Sequence, residues 1–305
     1  MPSSKFTRFI IAVHGEEGKL WLSRLPDILL ACEQEWSLGV GTPFENLSYN
    51  YIAPAVRADS SEVILKLGIP NLEVATEIEA LRLYDGRGCV KLLAANHNLG
   101  ALLLEQIKPG TQLLDVSDDD EATRIAAQVM GQLWRPVPDD HPFPIAARWA
   151  QGLERMRQRY DGGTGPLPAD LVEKAEALFD ELLGSMGTPV LLHGDLHHEN
   201  ILRADREPWL AIDPKGVVGE PAYEVGALLR NIKPQLLDRL QPSRILARRV
   251  SILKEELGFE QERMLGWGLA QAVLAAWWCL EDNLDCWKWL IYCAEQIHEV
   301  MIKKS

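Results

Sequence analysis

Apolar residues recur at helical spacing near the start of the chain, and shorter apolar runs follow. Residues 19–36 carry Leu22, Leu25 and Ile28 on one face, which predicts an amphipathic helix. Runs rich in Val, Ile, Leu and Tyr, separated by turns with Gly, Pro and Asn, predict strands at 37–41, 49–56, 62–67, 89–94 and 101–106. Asn71 can cap one further helix that continues through Tyr84. The first third of the chain is therefore predicted to form a small antiparallel lobe.

The rest of the chain is predicted to be mainly helical. Helical apolar spacing, with breaks, covers residues 118–134, 144–160, 168–186, 222–229, 242–257 and 261–302. The clear interruption is 190–216, where short apolar runs flank polar residues. The predicted fold class is therefore α+β, with a small β-rich N-lobe over residues 1–106 and a larger, mainly helical C-lobe over residues 107–305. A ligand is expected in the cleft between them.

The interruption contains the segments VLLHGDLHHEN and WLAIDPKG. Asn200 lies five residues after Asp195, and Asp213 lies eighteen residues after Asp195, each where an apolar run meets a polar turn. Phosphoryl transfer needs these groups: a carboxylate that accepts the acceptor hydroxyl's proton, and oxygen ligands that hold Mg²⁺ on the phosphates. We assign the first role to Asp195 and the second to Asn200 and Asp213. The alternatives are a buried turn-capping Asp195 and an ordinary strand-end Asp213.

Two departures separate this pattern from protein kinases. Gly194 stands where their H-R-D motif has Arg, and Pro214-Lys215 follow the second Asp. The nearby histidines lack the helical H-E-x-x-H spacing of a zinc site. His193, which follows an apolar run, is instead predicted to be a buried imidazole that supports the loop.

The same segments resemble a known family. HGDLHHEN and IDPKGVVGEPAYEVG are similar to the motifs of aminoglycoside phosphotransferases, which are small-molecule kinases. The segments WLSRLPDILLACEQEWSLG, LLLEQIKPGTQL and WWCLEDN resemble the aminoglycoside/hydroxyurea resistance branch, which includes streptomycin 6-kinases. The resemblance implies a protein-kinase-like bilobal fold with ATP and Mg²⁺ as cofactors. It also implies that Glu224 stands where relatives carry an Asp that holds the catalytic loop.

Lys66 lies in the apolar run VILKLG. A buried ammonium needs an anion, and in kinases that anion is a nucleotide phosphate; the alternative is an exposed Lys on an edge strand. The resemblance implies an acidic partner on the next helix, for which Glu73, Glu77 and Glu79 compete. We choose Glu77, which lies one turn before Leu81.

Further nucleotide contacts are expected from the backbone. The segment 39–44 begins like a glycine-rich phosphate loop but has Phe44 at the third glycine position, and a plain hairpin turn is the alternative. The resemblance implies that residues 102–107 connect the lobes. Backbone groups of Glu105 and Ile107 would then bind the adenine edge.

Bulk properties exclude some functions. The formal charge of −13 argues against sequence-independent nucleic-acid binding and suits a cationic ligand. The sequence shows neither a signal peptide nor an apolar stretch long enough to span a membrane. Cys279, Cys286 and Cys293, which recur every seven residues, predict one buried helix face with reduced thiols. These features predict a cytoplasmic protein.

The acceptor is expected to bind in the helical lobe. Glu281 and Asp282 follow two tryptophans and can recognise ammonium or guanidinium groups, although a solvated helix end is an equal alternative. We therefore predict a kinase that uses ATP and Mg²⁺ to phosphorylate a small cationic molecule, with a streptomycin-like aminoglycoside as the leading candidate. The alternatives are a kinase of an amino alcohol, a sugar or hydroxyurea, and a nucleotide-binding regulator without catalysis.

Overall fold

A computed structural model describes residues 2–232 and 241–304 of the chain. The chain divides into two compact units, Met1–Lys108 and Pro109–Ser305. Within the described ranges, no helix combines the length and the apolar character that crossing a membrane requires.

The N-terminal unit begins with a long helix, α1 (Ser4–Trp36). The sequence predicted its start at residue 19, which was wrong because the helix begins at Ser4, where Ser3 accepts a hydrogen bond from the Phe6 N–H at 3.2 Å. Gly15, at φ +56°, kinks α1 and interrupts the apolar periodicity that a single helix would show. The buried side chains of α1 pack against the neighbouring sheet: Phe6, Ile10, Trp21, Leu25, Ile28 and Cys32.

An antiparallel five-stranded sheet and one further helix complete this unit. Its strands are β1 (Leu38–Val40), β2 (Tyr51–Arg57), β3 (Glu62–Leu67), β4 (Leu92–Asn96) and β5 (Ala101–Glu105), in the order β1-β2-β3-β5-β4. Helix α2 (Leu72–Tyr84) connects β3 to β4. Asn71 caps α2 as predicted, because its side-chain oxygen accepts the Val74 N–H at 3.0 Å. The antiparallel lobe that the sequence predicts is therefore present.

The C-terminal unit is mainly helical, as predicted. Its described helices are α3 (Asp119–Leu133), α4 (Ala146–Arg159), α5 (Ala169–Gly184), α6 (Val225–Arg230), α7 (Pro242–Leu257), α8 (Gln261–Glu281) and α9 (Trp287–Lys304). The helical spacing with breaks that the sequence shows over residues 261–302 corresponds to two helices, α8 and α9. The Asp282 N–H bonds back to the Trp278 carbonyl at 3.0 Å and Asn283 adopts φ +56°, which ends α8.

The break between α8 and α9 also corrects the prediction for the cysteines. Cys279 and Cys286 form a disulfide with their Cα atoms 5.9 Å apart, whereas seven residues of continuous helix would separate them by about 10 Å. The expectation of reduced thiols was therefore wrong for this pair. Cys32, Cys89 and Cys293 lie outside this disulfide and are buried.

Two small antiparallel sheets position the polar motifs. Strand β7 (Val190–Leu192) pairs with β10 (Val217–Gly219), while β8 (Ile201–Ala204) lies between β6 (Pro109–Gln112) and β9 (Trp209–Ala211). The motif loop, residues 193–200, therefore connects β7 to β8. The second loop, residues 212–216, connects β9 to β10. Four strand ends thus bring both motifs together.

Candidate active site

Backbone hydrogen bonds tie the motif loop to the second loop. The carbonyl oxygen of His193 accepts the Lys215 N–H at 2.8 Å, and that of Asn200 accepts the Ile212 N–H at 2.9 Å. Because these bonds lie at both ends of the motif loop, Asp195 and Asn200 have a defined register relative to Asp213. The three residues that the sequence assigned to phosphoryl transfer therefore belong to one local structure.

The carboxylate of Asp195 forms an ion pair that the sequence analysis missed. Arg230 Nη2 lies 2.5 Å from Asp195 Oδ1, and the Arg230 side chain is 9% exposed. Burial opposes ionisation of Asp195, but the charge of Arg230, assisted by His197 and Lys215, outweighs it and lowers the pKa of Asp195 to about 2. An arginine that ends the apolar run Val225–Leu229 is the signal that could have revealed this partner, by the reasoning applied to Lys66.

Asn200 is oriented so that its side-chain oxygen is available. Its Nδ2 donates to the Asp195 carbonyl oxygen at 2.9 Å, so the amide oxygen points away from this anchor. Only Ile212 separates Asp213 from the end of β9. Asp213 adopts φ +60°, a conformation that Asp tolerates better than most residues. One amide oxygen and one carboxylate are ligands that fit Mg²⁺, which prefers oxygen donors and fills its octahedron with phosphates and water.

His193 is fully buried, as the sequence predicts. Its Nε2 lies 2.7 Å from the carbonyl oxygen of Ile212, and its Nδ1 lies 3.3 Å from the Asp195 backbone N–H. Burial lowers the pKa of His193 to about 4 despite the hydrogen bond to Ile212. A neutral imidazole that donates through Nε2 and accepts through Nδ1 satisfies both contacts. His193 therefore links the two loops.

Glu224 holds the backbone of the motif loop through its carboxylate. Its two carboxylate oxygens accept the backbone N–H groups of His193 at 2.7 Å and Gly194 at 2.9 Å. Its side chain is buried at the end of the turn that precedes α6, and burial raises its pKa to about 7 although both N–H groups favour the charged form. The longer side chain thus contacts the loop directly, in the manner expected of the shorter Asp of relatives.

The glycine that replaces Arg in the H-G-D motif has a steric reason. Gly194 adopts φ +85°, and a Cβ atom there would lie 2.8 Å from the Trp149 ring and 2.9 Å from Val217 Cγ1. Neither the backbone conformation nor the space admits a side chain. The departure from the protein-kinase motif therefore follows from the packing of α4 and β10 against the motif loop.

The N-terminal unit contains the lysine pair. Lys66 Nζ lies 2.6 Å from Glu77 Oε1, and both side chains are buried. The pair joins the middle of the sheet to α2. Of the three acidic candidates, the structure brings Glu77 to Lys66, while Glu79 pairs with Arg82 at 2.5 Å.

Some of the backbone groups expected to bind the nucleotide already form hydrogen bonds within the N-terminal unit. The N–H groups of Gly41 and Phe44 donate to carbonyl oxygens of β2 at 2.8 and 3.0 Å, which favours a hairpin over a phosphate cradle. The Glu105 N–H donates to the Lys91 carbonyl at 3.0 Å, so an adenine contact from Glu105 would use its carbonyl oxygen. Ile107 follows the end of β5 and is partly exposed.

Glu281 and Asp282 lie at the C-terminal end of α8. Glu281 forms an ion pair with Arg155 through two contacts of 3.2 and 3.3 Å, and its side chain is 28% exposed. One turn earlier, Trp278 packs edge-on against Trp149 at 5.6 Å. Since Trp149 also contacts Gly194, this acidic helix end is connected by packing to the motif loop.

Comparisons with known proteins place this architecture. The fold is protein-kinase-like: the aminoglycoside phosphotransferase APH(4)-Ia, in a ternary complex with ADP and hygromycin B, superposes with a TM-score of 0.64 at 10% identity, over 90% of this chain and 97% of that one. The chain belongs to the aminoglycoside/hydroxyurea antibiotic resistance kinases, whose family model matches residues 41–283. It is thus a phosphotransferase with an alcohol group as acceptor. The family predicted from the motifs is confirmed.

Two relatives are similar over most of their length. Streptomycin 6-kinase of Streptomyces griseus is 32% identical over 271 residues, which cover 88% of each chain. Hydroxyurea phosphotransferase of Kitasatospora aureofaciens is 33% identical over 276 residues, which cover 88% of this chain and 77% of that protein. These relatives have different named substrates at nearly equal identity, so family membership leaves the acceptor open.

Proposed function

We propose that this protein is a kinase that uses ATP and Mg²⁺ to phosphorylate a hydroxyl group of a small cationic molecule, with a streptomycin-like aminoglycoside as the leading acceptor. The observation that carries the proposal is the local structure of Asp195, Asn200 and Asp213 on two loops joined by backbone hydrogen bonds. Similarity to streptomycin 6-kinase and to a phosphotransferase that binds ADP supports the choice of acceptor and nucleotide.

Each residue has a role in this proposal. Asp195 orients the acceptor hydroxyl and accepts its proton late in a loose transition state. At that point the bond between the transferred phosphoryl group and the leaving ADP is largely broken. Asn200 and Asp213 are the protein ligands that would hold Mg²⁺. When bound, the ion would neutralise charge on the phosphate oxygens. His193 and Glu224 hold the loop that carries the base.

The nucleotide would use residues of the N-terminal unit. Lys66 has an ammonium group that can meet phosphate oxygens, and Glu77 keeps it in place at 2.6 Å. A buried lysine that an ion pair already holds in place is suited to this task because ordering it on a phosphate has little entropic cost. The carbonyl oxygen of Glu105 and the N–H of Ile107 would bind the adenine edge.

Acceptor recognition is proposed at Glu281 and Asp282. The net charge of −13 favours cations, and the aromatic contact between Trp278 and Trp149 connects this helix end to the motif loop. Arg155 partly offsets the charge of Glu281, and its contacts hold that carboxylate in place. A second candidate acceptor is hydroxyurea, which is favoured by the 33% identity to hydroxyurea phosphotransferase.

The test is ADP release by the purified protein with ATP, Mg²⁺ and a panel of acceptors: streptomycin, hydroxyurea, choline and a neutral sugar. Streptomycin is expected to give turnover, and Asp195→Asn should reduce it by roughly 10² or more, as the loss of a positioned general base does. Asp205→Asn makes the same chemical change at an exposed residue in the β8–β9 turn and should leave the rate unchanged.

The other outcomes are equally informative. Turnover with hydroxyurea alone would make hydroxyurea the acceptor. Nucleotide binding without ADP release for any acceptor would indicate a regulator without catalysis. Turnover of Asp195→Asn within a few-fold of wild type would refute the assignment of the base.

A further inference from the structure

Arg230, the last residue of α6, contacts the proposed base and is itself buried. Its Nη2 lies 2.5 Å from Asp195 Oδ1, and its side chain is 9% exposed. A desolvated guanidinium is costly unless its partners are close and well oriented. A buried arginine at this position therefore needs a reason beyond surface electrostatics, and the contact with Asp195 provides one.

Arg230 is held from the side opposite Asp195. Its Nη1 donates to Gln271 Oε1 at 3.3 Å, and Gln271 Nε2 donates to the Tyr223 carbonyl oxygen at 2.6 Å. Gln271 is buried in α8. These bonds fix the amide orientation of Gln271, which in turn fixes the plane of the guanidinium. The position of Arg230 is thus set by α8 before any substrate binds.

The chain provides space for this arrangement at Gly226. A Cβ atom there would lie 2.4 Å from the carboxamide carbon of Gln271, so any side chain would displace Gln271. Gly226 and Arg230 are four residues apart on α6 and therefore lie on the same face. The glycine on that face admits the glutamine that holds the arginine.

The environment of Asp195 distinguishes its two carboxylate oxygens. Oδ1 is bound by Arg230, whereas Oδ2 lies 3.8 Å from His197 Nε2, beyond hydrogen-bond distance. The backbone of Asp195 is anchored as well, because His193 Nδ1 meets its N–H and Asn200 Nδ2 meets its carbonyl oxygen. Rotations about the Cα–Cβ and Cβ–Cγ bonds are the freedom that remains, and the bond to Arg230 restricts both.

We infer that Arg230 is a positioning residue for phosphoryl transfer: it binds Oδ1 of Asp195, held by Gln271, so that Oδ2 faces the acceptor hydroxyl. This inference rests on the proposed role of Asp195 as the base. No bond is made or broken at Arg230; the hydroxyl proton passes to Oδ2 while the guanidinium keeps its own protons.

Two effects of Arg230 oppose each other. Its positive charge makes Asp195 a weaker base, since it lowers the pKa of that carboxyl. Its fixed position gives the carboxylate the orientation that the reaction needs. In a loose transition state the proton leaves late, so orientation contributes more than basicity. Removal of Arg230 should therefore slow the reaction.

The variants Arg230→Gln and Arg230→Lys separate charge from geometry. Arg230→Gln removes both the charge and the geometry. It should reduce kcat on the order of 10- to 100-fold, which is part of the full effect that loss of a general base would have. Its KM for ATP should stay within a few-fold of the wild-type value. Its acid limb in the pH profile of kcat/KM should move to higher pH, because Asp195 loses the charge that keeps it ionised. Arg230→Lys retains the charge, so the acid limb should stay low while kcat remains reduced.

A matched control is Arg157→Gln, which removes another partly buried arginine that forms a two-point ion pair, with Glu176 on α5. It should lower the melting temperature without changing kcat or the pH profile. If Arg230→Gln behaves like this control, Arg230 is a structural residue and the inference is wrong. A kcat of Arg230→Lys equal to that of wild type would also overturn it, because charge without the guanidinium geometry would then suffice.

A double-mutant cycle distinguishes this inference from the proposed function. If Arg230 acts through Asp195, then Arg230→Gln should cost no further activity in an Asp195→Asn background. Additive losses would show that Arg230 acts independently, which overturns the inference while the proposed function stands. Full ADP release by Asp195→Asn alone would instead overturn the proposed role of the base.

Discussion

Replacement of Glu224 by alanine should weaken both stability and catalysis, because this buried carboxylate holds two backbone N–H groups of the motif loop. The hydrogen bonds from His193 and Gly194 measure 2.7 and 2.9 Å. A buried donor left without a partner costs roughly 1–3 kcal/mol. Glu224→Ala should therefore lower the free energy of unfolding by roughly 2–6 kcal/mol, towards the lower end if water enters the space.

Glu224→Gln tests how many of the two bonds matter. Its amide oxygen can still accept one N–H, but its NH₂ group faces the other donor, so about half of the loss, roughly 1–3 kcal/mol, is expected. A control is Glu220→Gln, since Glu220 is also buried but accepts from Arg263 and Trp267, which do not touch the motif loop. The control should lose stability while folded protein keeps its kcat.

The pH dependence of the same variants checks the raised pKa of Glu224. Because burial raises this pKa from 4.5 to about 7, the folded state holds the proton more tightly than the unfolded state. The contribution of Glu224 to stability is then complete below pH 4.5 and falls as the pH rises towards 7. The difference in stability between wild type and Glu224→Gln should shrink in that window, and effects of His193 cancel because both proteins share them.

The measurements are urea unfolding and ADP release on the same preparations between pH 5 and 8. The reasoning is refuted if Glu224→Ala unfolds within about 0.5 kcal/mol of wild type, a change typical of neutral surface substitutions. It is also refuted if folded Glu224→Ala retains full kcat, because the loop would then keep its geometry without this support.

Three further predictions concern the proposed metal ligand, the acidic end of α8 and the disulfide. Asp213→Ala should weaken Mg·ATP binding and abolish ADP release, since the phosphates lose a ligand for the cation; unchanged affinity by titration calorimetry would make Asp213 structural. Glu281→Gln and Asp282→Asn should each raise the KM for streptomycin several-fold and leave the KM for ATP unchanged; equal kinetics with a lower melting temperature would assign both residues to the helix end. Thiol titration of the unreduced, denatured protein should find three cysteines and then five after reduction, and Cys286→Ser should cost roughly 2 kcal/mol of stability for a loop of this length; five thiols before reduction would show that the pair is not bonded.

Local patterns in the sequence were sufficient for much of this protein. The strand at Glu62–Leu67 and the helix capped by Asn71 agree with the structure because short-range periodicity and capping chemistry determine them. The spacing of Asp195, Asn200 and Asp213 indicated phosphoryl transfer, because each lies where an apolar, strand-like run meets a polar turn. A strand end is a local feature, so its position can be inferred from neighbouring residues alone.

Contacts between distant segments were decided by the tertiary structure. Arg230 meets Asp195 across 35 residues of sequence, and Gly194 is restricted by Trp149 on a different helix. The seven-residue spacing of Cys279 and Cys286 is as compatible with one helix face as with a disulfide. In the structure, the chain turns after α8 and brings their Cα atoms to 5.9 Å. Periodicity specifies which face of an element is apolar. It does not specify which charged or aromatic side chain of another element will lie against it, because that depends on how the elements pack in three dimensions.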